Sequence, residues 1–162
     1  MIVLRLRVLF GLTLLLSLLL GAARAEDLAA RGPRPDLDPP QVVQAMLSAL
    51  KKNSDQGIAE LYKFSSPGNR EKSGPLSNFR SMIREGFPDL LGHREARVGP
   101  PLIDGDRAML PVEVVGSDAQ THRYIFLMSR QDGGQCKGCW MADAVVNSDD
   151  DTGDPEKPEY GA

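Results

Sequence analysis

The sequence predicts an α+β domain, with N-terminal helices packed on one face of a curved antiparallel sheet of about four strands. Three observations carry this. Apolar residues recur at helical spacing between Val43 and Ile83, the apolar period shortens to two from about His93, and turn signals then return at short intervals. Helices in the first half and strands in the second leave the helices one sheet face to cover. A curved sheet around a helix encloses a cone, filled by side chains or left as a pocket.

The first helix opens at Asp38, a capping residue followed by Pro39, and Val43, Met46, Leu47 and Leu50 then share one face. After the polar break KKNSD, Ile58, Leu61 and Tyr62 mark a second helix. SSPGNREKSGP reads as a polar loop. Pro75 opens a third helix with Leu76, Phe79 and Ile83 on one face and Gly86 near its end. A strand is expected near Arg94 to Val98. In the next, Ala108, Leu110, Val112 and Val114 alternate with Arg107, Met109, Pro111 and Glu113, after the turn signal Asp104-Gly105. Pro111 donates no ladder bond, so its strand is expected at an edge or bulged there. Gly116-Ser117-Asp118 turns the chain into Thr121 to Ser129, and Asp132-Gly133-Gly134 turns it into the last strand, Cys139 to Val146.

The flanks differ from this domain, which is expected over 39–146. MIVLRLR, the uncharged run from Val8 to Ala23 and the small-x-small site Ala23-Arg24-Ala25 form the three parts of a signal peptide over 1–25. The uncharged run is shorter than the roughly 20 residues that span a bilayer, so cleavage after Ala25 is expected, with no membrane attachment afterwards. The chain is then exported, to a periplasm, a thylakoid lumen or the cell exterior. Residues 26–38 read as a flexible lead. The tail over 147–162 holds six acids, one lysine and two prolines, and reads as disordered.

Loss of the signal peptide removes three of the 19 basic residues and leaves 16 against 22 acids. The acidity lies in the flanks, because Gln41 to Val146 holds 13 basic and 12 acidic residues. A near-neutral domain without a basic run has no electrostatic footprint for nucleic acid.

ELYKFSSPGNREKSGPLSNFRSMIREGFPDLLGHREARVG at 60–99 and YIFLMSRQDGGQCKGCWMADAVV at 124–146 resemble the family catalogued as domain of unknown function 4864. The motifs FxSPGN, GPxxxFxxM and GCWxxD are fairly specific together and weak singly, and the resemblance covers roughly 40–146. That family looks like a member of the nuclear-transport-factor-2-like, or cystatin-like, superfamily of α+β cones. The resemblance implies the cone fold and no activity. Relatives in the wider superfamily include isomerases, dehydratases and binding modules, so the fold alone selects no function.

No G-x-S-x-G elbow, P-loop, H-E-x-x-H or glycine-rich dinucleotide turn is present, and no cofactor is implied. His93 and His122 are the only histidines and read as surface or pocket-rim positions. In WMADAVV, Asp143 shares a strand face with Met141 and Val145, which are apolar. A carboxylate there needs a hydrogen-bond partner or a raised pKa, which makes Asp143 the candidate general base or ligand anchor. Tyr124, Phe126 and Trp140 are candidate lining, core first and ligand contact second, which cross-strand packing could bring together. Tyr124, Trp140, Asp143 and His93 are therefore the candidate binding residues.

Cys136 and Cys139 are spaced C-x-x-C. Haem attachment would need histidine after Cys139, where Trp140 stands, and zinc would need two more ligands, for which His93 and His122 lack module spacing. No metal site is expected. The motif leads into a strand rather than opening a helix, so the activation of a thioredoxin-type thiol is missing. A local disulfide across the turn is the working expectation. Cys139 belongs to GCWxxD, whereas Cys136 is not tied to the family pattern.

These observations favour a non-catalytic binding or interaction module. Its expected partner is a small apolar ligand or a protein, including a second copy of the chain. A cofactor-free isomerase or dehydratase with Asp143 as base is the alternative, and a thiol-disulfide protein using Cys136 and Cys139 the third.

Overall fold

The computed structural model describes residues 27–149. The expected signal peptide, and the expected tail from 150 onward, lie outside the described residues. Among those described, no helix is long and apolar enough to cross a membrane.

The segment expected as a flexible lead is packed. Residues 27–31 form a short helix, α1, and Leu28, Ala29 and Leu37 are buried. Lys63 Nζ donates to the Ala30 carbonyl at 2.7 Å, which ties the segment to the domain. Three apolar residues split by prolines set up no period, yet they suffice to bury the segment. At the other end Asn147 completes a strand, and Asp149 Oδ2 accepts from the Arg123 backbone N–H at 2.9 Å.

Helix α2 (Pro39–Lys51) starts at the expected cap. Asp38 Oδ1 accepts from the Gln41 N–H at 2.8 Å, and the Asp38 N–H donates in return to Gln41 Oε1 at 3.0 Å. Eight of its 13 residues are buried because it lies between other helices and the sheet. Helix α3 (Asp55–Lys63) is capped by Ser54 and crosses α2 where Gly57 meets the Ala49 carbonyl. Glu60, buried on α3, is paired by Lys52 Nζ at 2.6 Å. Helix α5 (Leu76–Gly86) packs Phe79 and Ile83 inward, with Phe79 edge-on to Tyr62 at 5.0 Å.

Between them the expected polar loop contains helix α4 (Pro67–Ser73). It buries none of its residues, so no apolar period announces it. Its only signals are local: Ser66 Oγ accepts from the Asn69 N–H at 3.2 Å, and Pro67 occupies the first turn.

The sheet is antiparallel with five strands: β1 (Glu95–Val98), β2 (Leu102–Asp104), β3 (Arg107–Val115), β4 (Thr121–Arg130) and β5 (Trp140–Asn147). The order is β1-β3-β4-β5, and β2 pairs β3 beyond the end of β1. The additional strand, β2, exposes all three residues and so shows no alternation in the sequence. Pro111 lies on an inner strand, not an edge. Val98 pairs Val112 and Leu102 pairs Met109, so Pro111 faces the gap between β1 and β2 and needs no donor. Its carbonyl accepts from the Gly99 N–H at 2.8 Å, and a Cβ at Gly99 would press on the proline ring.

Ala108, Leu110, Val112 and Val114 on β3 and Tyr124, Phe126 and Met128 on β4 form the inner face against α2. The outer face exposes Leu102, Met109 and Val146, while Ile103, the register partner of Ala108, is exposed on the other side of β2.

Candidate functional site

Strand β5 carries a β-bulge. Leu127 pairs Ala144 while Met128 pairs Ala142, which leaves Asp143 as the extra residue. The bulge breaks the alternation assumed from the sequence. Val145 stands opposite Phe126 on the inner face and Met141 opposite Ser129 on the outer one, so Met141 and Val145 no longer lie on one face. The Asp143 carboxylate accepts from Ser129 Oγ at 2.9 Å, and Gln131 Nε2 donates to the same Ser129 oxygen at 3.0 Å.

The residue before the bulge anchors the segment that leads into α4. Ala142 N–H donates to Phe64 O at 2.8 Å, and Ala142 O accepts from Ser66 N–H at 2.9 Å and from Asn69 Nδ2 at 3.1 Å. Ser65 thereby forms a parallel bridge with Ala142. FxSPGN and GCWxxD, far apart in sequence, are the two halves of this joint.

Beside the joint a cavity of about 220 Å³ lies between the inner sheet face and the helices. Met46, Leu50, Phe79, Ile83 and Phe126 form much of its apolar wall, and Ser65, Asn69, Lys72 and Asp143 are its polar members. Lys72 and Met82 are exposed and mark its mouth.

Of the four candidate binding residues, the cavity is lined by Asp143 alone. Tyr124 is buried with its ring 6.2 Å from that of Phe87. Trp140 shares the inner face but pairs with Arg130, six residues along β4 from Tyr124, or about 20 Å of strand. The aromatic set is therefore not brought together. Cys136 and Cys139 are joined in a disulfide in the β4–β5 turn, with Cys139 buried and Cys136 Sγ 3.5 Å from the Pro33 carbonyl.

His93 is in the core, 4% exposed, rather than on a surface or rim. Its Nδ1 lies 2.8 Å from Leu90 O, which fixes Nδ1 as the protonated nitrogen because a carbonyl only accepts. Burial holds His93 below the ordinary histidine pKa; the Leu90 bond opposes this and the Lys51 charge adds to it. The unfolded chain therefore takes up this proton more readily, and stability falls as pH drops below about 6.5. His93→Gln, which keeps a donor for Leu90, is expected to flatten that fall. The contribution removed is at most about 1.4 kcal/mol per pH unit. Denaturant titrations at neutral and mildly acidic pH measure it, and parallel slopes for the two proteins would refute it.

His122 lies in an acidic cluster. Its Nε2 is 3.2 Å from Asp118 Oδ2, and its Nδ1 is 3.6 Å from Asp89 Oδ2 and 3.7 Å from Asp149 Oδ2. Asp89, Asp118 and His122 offer ligand atoms within 4.8 Å of one another, though both ring nitrogens are already flanked by carboxylates.

Comparison with known proteins adds a family and no activity. No curated protein and no solved structure matches the chain. A family model described as "Domain of unknown function (DUF4864)" matches residues 36–149, from just before the capping box to the end of the described chain. The matched span contains both halves of the joint at Ala142 and every residue that lines the cavity. The chain belongs to this family, domain of unknown function 4864.

Proposed function

We propose that the protein is a non-catalytic binding module that holds a small, mostly apolar molecule in the cavity between its helices and its sheet. The observation that carries this is the composition of the cavity, apolar walls with polar groups gathered at one end, as in sites that take a ligand by its body and orient it by its head. The finer fold is a nuclear-transport-factor-2-like cone, supported by helices packed against one face of an antiparallel sheet. Export after cleavage of residues 1–25 is part of the proposal and is supported by the disulfide, a bond that persists in oxidising compartments. The enzymatic alternative, Asp143 as general base, is less well supported because its carboxylate is engaged by Ser129, whose register partner Met141 lies on the outer side.

Thermal unfolding in the presence of small aromatic and short-chain probes tests the reading. A probe at about a hundred times its Kd should add about 2.7 kcal/mol and raise Tm by several degrees. Asp143→Asn should keep that shift, since its amide oxygen can still accept from Ser129. Absence of any shift across the probe set, up to millimolar concentrations, would overturn it.

A further inference from the structure

The polar end of the cavity specifies a head group. Ser65 is 2% exposed and lines the cavity, yet among the described residues its hydroxyl has no hydrogen-bond partner. A hydroxyl on a cavity wall without a protein partner is a donor open to whatever fills the cavity. The presentation is rigid: the Ser65 backbone is fixed on both sides through Phe64 O and Ser66 N–H to Ala142.

Lys72 lines the same cavity and has no ion pair or hydrogen bond among the described residues. Lys51, Lys52 and Lys63, by contrast, are each engaged, by the Arg94 carbonyl, the Glu60 carboxylate and the Ala30 carbonyl. A neutral donor and a free ammonium at one end of an apolar cavity match a group that only accepts and carries negative charge. Asn69 Nδ2 gives one of its two hydrogens to Ala142 O, so it can add at most one further donor to such a group. Asp143, the one acid in the lining, is bonded to Ser129.

Volume limits the body. A dry apolar cavity of about 150 Å³ holds benzene, and the 220 Å³ here admits one ring and a few further atoms. We infer that the occupant is a small monocarboxylate with one ring or a short chain, its body against Phe79 and Phe126 and its carboxylate taken by Ser65 Oγ and Lys72 Nζ. This rests on the binding reading above and adds the chemical class of the ligand.

Titration calorimetry on the purified protein with phenylacetate, phenylethanol, phenylethylamine and toluene varies the head and keeps the ring. Phenylacetate is expected to bind about tenfold more tightly than phenylethanol, and the amine more weakly still. Ser65→Ala and Lys72→Gln should each bring phenylacetate close to phenylethanol and leave toluene unaffected. Lys72 is exposed and unpartnered, so its replacement puts folding at no risk, and the acid's advantage should also shrink with added salt. Equal affinity for acid and alcohol, unchanged phenylacetate binding in both variants, or a preference for the amine, which would give the head group to Asp143, overturns the inference while toluene binding preserves the cavity as a site. Failure of all four probes, toluene included, removes the binding reading itself.

Discussion

Replacing Phe126 with alanine is expected to lower the unfolding free energy by about 3–5 kcal/mol. Phe126 is fully buried at the middle of β4, opposite Leu110 on β3 and Val145 on β5, and it forms part of the cavity wall. Truncation removes the transfer free energy of the ring and enlarges a cavity that the rigid sheet behind it cannot close. Against a total stability of about 5–15 kcal/mol for a domain of this kind, the loss is a large fraction. Because the new volume adjoins existing apolar space, the variant should regain part of its stability when saturated with benzene or toluene. Urea denaturation with and without the probe measures both effects. A loss under about 1 kcal/mol would mean that Phe126 is not a packed core residue, and a full loss without rescue would mean that the two volumes do not join.

What the sequence made legible is what burial imprints on spacing. The face of α2, the alternation along β3 and the Asp38 cap are written in residue type because one side of each element meets the core. Helix α4 buries nothing and β2 exposes every residue, so neither leaves an apolar period, and only the turn at Asp104-Gly105 and the pair Ser66-Pro67 hint at them. The site was less legible for a related reason. Asp143 could be singled out as a carboxylate among apolar neighbours, but its surroundings depend on one inserted residue in β5, and a bulge leaves no trace in a pattern read with period two. Ser65 and Lys72 lie in a segment whose composition is that of a solvated loop. The available signal was indirect: FxSPGN and GCWxxD belong together in the family resemblance, and their meeting at Ala142 is what buries Ser65.

Gly57→Ala is expected to destabilise the protein by about 2 kcal/mol or more, even though alanine is the better helix former by about 1 kcal/mol. A Cβ at Gly57 would collide with the Ala49 carbonyl oxygen and come within 3.2 Å of the Lys52 Cβ, and the colliding atom belongs to the α2 backbone, which has no rotamer by which to yield. Helices α2 and α3 must therefore move apart. Leu50 and Leu61, on those two helices, both line the cavity, so affinity for a small ring should fall together with stability. Gly68→Ala in α4 provides the opposite case, because nothing lies within 4 Å of the added carbon, and it should leave stability unchanged or raise it by up to about 1 kcal/mol. The denaturant midpoint of Gly57→Ala should thus fall below that of the native protein, and that of Gly68→Ala should stay level with it or rise. Should Gly57→Ala be as stable as the native chain, the close approach of α2 and α3 is wrong, and with it the placement of the helical wall of the cavity.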